Sequence, residues 1–139
     1  MSRTETRRTL LVANEVPNRE ALGELADASS VLVVAPALNS RLKHWFSDED
    51  DARRRAEDRL ARSLEHLASE GVDAQGWVGD PDPVQAIDDA LHLSAVERIV
   101  VATQPDAGSN WLARDLFVRA RRRFALPIQH LEVIAGPSG

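Results

Sequence analysis

Arg98-Ile-Val-Val-Ala102 is a short β-branched, apolar run that ends abruptly at Pro105, Asp106 and Gly108, after which an amphipathic pattern opens. So short and apolar a run predicts a strand buried on both faces, which requires a sheet with helices on either side. The same unit recurs along the chain. Thr9-Leu-Leu-Val-Ala13 and Ser30-Val-Leu-Val-Val-Ala35 are two further buried runs, the second stopped by Pro36. Val72-Asp-Ala-Gln-Gly-Trp-Val78 alternates apolar and polar residues, the pattern of a strand near a sheet edge. Ile128-Gln-His-Leu-Glu-Val-Ile134 is the last strand, entered through Leu126-Pro127.

Helical patterns fill the gaps. Asn18 is placed to cap a helix over residues 19–28, with Ala21, Leu22, Leu25 and Ala26 on one face. Ser47 with Asp50 resembles a capping box, and the helix it opens runs to about Ser69, where Gly71 ends it. Ala56, Leu60, Leu64, Leu67 and Ala68 form its apolar stripe, with Asp51/Arg55 and Asp58/Arg62 at i,i+4 spacing. Asp82 and Pro83 stand where N-cap and first-turn residues belong, ahead of a helix with Val84, Ile87, Ala90 and Leu91 inward. A fourth helix ends near Phe124. The order β-α-β-α-β-α-β-α-β with short, right-handed connections gives an α/β fold, a parallel doubly wound sheet with helices on both faces.

At 139 residues this is expected to be one domain spanning 1–139, with an ordered core over about 8–134. A net charge of −5 argues against nucleic-acid binding, which needs a basic face for phosphates. The arginine clusters at 53–55 and 121–123 have acidic neighbours on helices and read as solvated faces. There is no cysteine, which removes disulfides, thiolate metal sites and cysteine nucleophiles. His44, His66, His92 and His130 show no metal-ligand spacing, so no metal is expected. The sequence has no apolar stretch of the ~20 residues a membrane span needs. A soluble, cytoplasmic, membrane-free protein is the expectation.

Several of these features together resemble the universal stress protein family over nearly the whole chain. They are Leu10-Leu-Val-Ala-Asn14, the long loop after the second strand, Gly79-Asp-Pro81, and Ile99-Val-Val-Ala102 followed by a loop, a helix and Leu126-Pro-Ile128. The resemblance implies a three-layer sandwich of the adenine nucleotide alpha-hydrolase-like, Rossmann-like type, with a five-stranded sheet of order 3-2-1-4-5. It also implies a homodimer paired through residues 128–134, and ATP or AMP in the crevice between the first and fourth strands.

The nucleotide motif itself is altered. Family members that bind nucleotide carry Gly-x2-Gly-x9-Gly and then Ser or Thr from the end of the fourth strand. Here Ala102, Thr103, Gln104 and Pro105 open that stretch, Gly108 is the glycine nearby, and the Gly-Ser pair falls on Arg114-Asp115. A carboxylate at that position, read as a helix N-terminus, would fill the electrostatic niche of a phosphate. The family's acidic residue after the first strand is Asn14. The expected site is therefore a modified crevice lined by Asn14, Val34, Thr103, Gln104, Gly108, Ser109, Asn110 and Arg114, taking an adenine nucleotide weakly or another small anion. Against it stands the reading that Ser109 or Asn110 caps the last helix and Trp111 packs beneath the sheet.

No catalytic constellation is found. Asp80 and Asp82, each beside a proline, read as a turn and a cap rather than paired acids. A response-regulator receiver would need a lysine after the last strand, where Ala135-Gly136 stands; Lys43 is the single lysine. The sequence thus predicts a non-catalytic stress-response binding protein. The competing class is a dimeric interaction and regulatory module without bound nucleotide, using a surface that includes His44-Trp45-Phe46.

Overall fold

The computed structural model describes residues 8–13, 16–18, 23, 25, 30–37, 49–103 and 107–133, with side chains left aside at 49–50, 107–114 and 132. The strands are β1 (Arg8–Ala13), β2 (Ser30–Pro36), β3 (Asp73–Gly79), β4 (Arg98–Thr103) and β5 (Ile128–Glu132). The helices are α1 (Glu49–Ser69), α2 (Pro83–Leu93) and α3 (Ala107–Arg123). The sheet is five-stranded in the order β3-β2-β1-β4-β5, and each pairing is parallel. This is the expected α/β architecture with the expected strand order.

Side-chain alternation splits the core into two layers. Leu10, Val12, Leu32, Val34, Ile99 and Val101 point to the face covered by α2 and α3, where Ile87, Ala90, Leu116 and Phe117 meet them. Leu11, Val31, Val33 and Val100 point to the other face, where Leu67 of α1 and the buried Leu25 lie. Both faces of β1, β2 and β4 are dry, which is why these strands read as continuous apolar runs. β3 is an edge strand, as its alternation requires, and β5 is the opposite edge.

α1 follows its predicted pattern with one exchange. Ala52, Ala56, Ser63 and Leu67 are buried and Leu60 and Leu64 half-buried, whereas Ala68, expected inward, is exposed. Ser63 takes an inward place instead, and its hydroxyl has no hydrogen-bond partner among the described residues. The helix ends at Gly71 as expected, with the Val72 N–H closing back onto the Leu67 carbonyl at 2.9 Å. Asp51 and Arg55 form an ion pair, and Asp58 meets Arg62 at 3.2 Å. The expected capping residue Ser47 and most of the expected helix over 19–28 lie outside the described residues, as does His44-Trp45-Phe46.

α2 starts where the sequence puts it. Asp82 Oδ1 accepts the Val84 N–H at 3.0 Å and Pro83 opens the first turn. The close approach of β3 to this helix explains Gly79. A Cβ there would stand 2.5 Å from Val34 Cγ2 and 3.0 Å from Ala86 Cβ. No helix among the described residues is long and apolar enough to cross a membrane.

Candidate functional site

In a doubly wound sheet the ligand crevice forms where the connections leave adjacent strands in opposite directions, beyond their carboxyl ends. Here those strands are β1 and β4. They are direct neighbours from Thr9↔Arg98 to Ala13↔Ala102, while β1 leads on to β2 on one side and β4 to β5 on the other. The crevice end of the sheet is therefore built by Ala13, Thr103 and the opening of α3.

Each expected site residue can be placed against this frame. Asn14 and Gln104 lie outside the described residues. Val34 is expected to line the crevice, but it is fully buried in the α2-side core beneath Gly79 and Ala86 and packs there as a core residue. Thr103 ends β4 and is 4% exposed. Its hydroxyl is hydrogen-bonded to His130 Nε2 on β5, and its carbonyl accepts the Val133 N–H at 2.7 Å. His130 in turn lies tilted against the Phe117 ring of α3, with the ring centroids 4.9 Å apart.

Gly108, Ser109 and Asn110 do not form a loop. α3 begins at Ala107, so these residues make up its first turn, and the reading of Ser109 or Asn110 as the residue capping it falls with the loop. The backbone still offers donors, since the first four N–H groups of a helix have no partner within it. Arg114 lies two turns in, with its backbone about 10 Å along the axis from the helix start. Asp115, expected at a helix N-terminus, is also well inside α3, where it meets Arg119 Nη1 at 3.6 Å. The electrostatic substitute for a phosphate is not formed there. The 107–110 stretch carries helical backbone as a continuation of the 111–123 pattern.

Two interactions at this end of the sheet were not legible as site features. On the α1 side, Arg59 donates from Nε to the Ala13 carbonyl at 3.1 Å and from Nη2 to the Pro36 carbonyl at 2.5 Å. A half-buried guanidinium thus fastens the carboxyl ends of β1 and β2. The one available signal was its position on the flank of the stripe formed by Ala56, Leu60 and Ser63. On the other face, Arg119 Nη2 meets Asp82 Oδ2 at 2.8 Å and joins α3 to the N-cap of α2. Arg123 repeats the link one step on, meeting Asp88 at 3.1 Å.

Burial pushes the Asp82 carboxyl up. The Arg119 guanidinium and the N–H groups of Val84 and Gln85 outweigh it, and the net result lies below the usual 3.8. Stability from a depressed carboxyl is present above 3.8 and is lost as pH falls through the lowered value. Asp82→Ala removes both the cap and the ion pair. It is expected to cost about 1–2 kcal/mol in urea unfolding at neutral pH, the cap contributing most of it. The difference from the parent should shrink as pH falls well below 3.8. An undiminished difference in acid would refute the electrostatic part.

Among the described residues no cluster of His, Asp and Glu could hold a metal ion. No family model matches the sequence. No curated protein matches it. A solved crystal structure of a universal stress protein in complex with cAMP is similar, with a TM-score of 0.49 over 93% of this chain and 99% of that chain, at 14% identity. The strand order given above stands on this chain's own ladders.

Proposed function

We propose that this chain is a non-catalytic binding protein of the universal-stress-protein type, cytoplasmic, holding a small anion or an adenine nucleotide beyond the carboxyl ends of β1 and β4. The observation that carries the reading is the adjacency of β1 and β4, at the point where the sheet's connections diverge and α3 opens. The N–H groups at the start of α3, which have no partner within the helix, suit negative charge, and the Arg59 guanidinium adds positive charge beside Ala13. A thermal-shift series with ATP, AMP, cyclic nucleotides and sulfate tests it. A ligand at about 100 times its Kd adds about 2.7 kcal/mol, which for a domain of this size is a rise of several degrees.

The second reading, an interaction module whose crevice is filled, is favoured by the burial of Val34 and Thr103 and by the engagement of the Thr103 hydroxyl with His130. A melting temperature indifferent to every one of these ligands at millimolar concentration selects that reading and overturns the first.

In both readings the protein is a homodimer paired through its last strand. β5 is an edge of the sheet, and a twofold axis along its Gln129–Glu132 backbone would cover it. Light scattering at micromolar concentration should give twice the 15.3 kDa chain mass. A monomer mass at that concentration overturns the dimer.

A further inference from the structure

The opposite edge of the sheet carries a second feature. A cleft of about 630 Å³ runs beside the carboxyl half of β3, with Ala52 and Arg53 of α1 on one wall and Asp89 and Leu93 of α2 on the other. Trp77 and Val78 form its floor. The cleft therefore wraps the open edge of a strand between two helices, away from the β1/β4 crevice.

Among the described residues no strand pairs with the outer side of that edge. The Gly79 carbonyl accepts the Ala37 N–H at 3.2 Å and so faces inward, toward β2. Both polar groups of a strand residue point to the same side and alternate along the chain. Ala74, Gly76 and Val78 consequently present their N–H and C=O groups outward. β3 has seven residues, with neither proline nor lysine, and so lacks common devices that blunt an edge.

The two walls differ in chemistry. Arg53 is exposed on the α1 wall and brings a positive charge to it. The carboxylates of the cleft are already engaged: Asp80 accepts the Asp82 N–H at 2.9 Å, and Asp89 accepts Gln85 Nε2 at 2.9 Å. On the α2 side the half-buried Trp77 and the 72% exposed Leu93 offer apolar surface. A second copy of β3 matches this poorly. Antiparallel pairing centred on Gly76 would set Asp73 of the copy opposite Gly79, next to Asp80, like charge against like.

We infer that the β3 edge and its cleft take an extended segment of a different protein as an added strand, with acidic side chains toward α1 and apolar side chains toward α2. Main-chain hydrogen bonds to Ala74, Gly76 and Val78 supply affinity, and alternation of the side chains supplies selectivity.

A capped, dye-labelled heptapeptide alternating glutamate and valine is the probe, read by fluorescence anisotropy on the full chain. Binding in the micromolar range is expected. N-methylation of the amides on the bonding side should weaken it about tenfold or more, since several hydrogen bonds of about 1 kcal/mol are lost. Replacing glutamate by lysine should weaken it too, and Arg53→Glu should reverse that preference. Val78→Pro removes an outward N–H without breaking the ladder to β2 and should abolish binding. The N-methylated peptide serves the same end with the parent protein, should that variant fail to fold. No binding at millimolar peptide overturns the inference, as does equal affinity for the N-methylated peptide. So does self-association that Val78→Pro abolishes, which would make a second copy the occupant.

Discussion

Gly76→Ala is expected to lower stability by about 3–5 kcal/mol, a large share of what a domain of this size possesses. A Cβ at this position would stand 2.0 Å from the Val33 carbonyl oxygen and 2.8 Å from its carbon. Neither atom belongs to a flexible side chain. Relief must come from the backbone, at the middle of the ladder that pairs Val33 with Gly76. β3 has β2 as its one strand partner, so disturbing this ladder loosens the whole edge. Chemical unfolding followed by circular dichroism measures the effect, and a loss under about 1 kcal/mol would show that the strands separate cheaply.

Arg59→Met should cost about 2–4 kcal/mol. The methionine keeps much of the aliphatic packing but leaves the Ala13 and Pro36 carbonyls without their donors. Charge-assisted bonds of this kind contribute about 1.5–3 kcal/mol each, and some of that returns if water reaches the carbonyls. Arg59→Lys should restore part of the loss, because an ammonium can reach one carbonyl but lacks the planar fork that spans two. Equal stability of the lysine and methionine variants would contradict this. Comparing the variants' thermal response to sulfate separates a structural guanidinium from one that also attracts an anion. Losing a purely structural guanidinium lowers the melting temperature and leaves the ligand-induced rise unchanged.

The architecture was legible because burial on two faces leaves a plain mark. The runs at 9–13, 30–35 and 98–102 have no polar alternation, while 72–78 has it, and those patterns distinguish central strands from an edge. Asp82 and Pro83 were legible for a local reason, since a cap depends on residues two or three positions away. The site was less so. Val34 is expected in the crevice, but the side to which it points is covered by α2, and helix placement is a tertiary fact. The glycine at 108 suggested a loop where α3 has already begun, because one glycine costs a helix only about 1 kcal/mol. Arg59 was invisible for the converse reason. Its carbonyl partners are 46 and 23 residues away, and its place beside the apolar stripe is all that separates it from the solvated arginines of α1.

β1, the central strand, leaves the ribosome before any of its neighbours. It can find β2 soon afterwards, but the residue whose side chain meets Thr9 across the β4 ladder is Arg98, 89 residues further on. Throughout that interval of synthesis, one side of this apolar strand lacks the partner that covers it in the finished sheet. Long-range parallel pairing forms slowly, and an uncovered strand is a template for other chains. Shelter for this unfinished intermediate is therefore expected to bear on yield in a cell alongside the stability of the completed sheet.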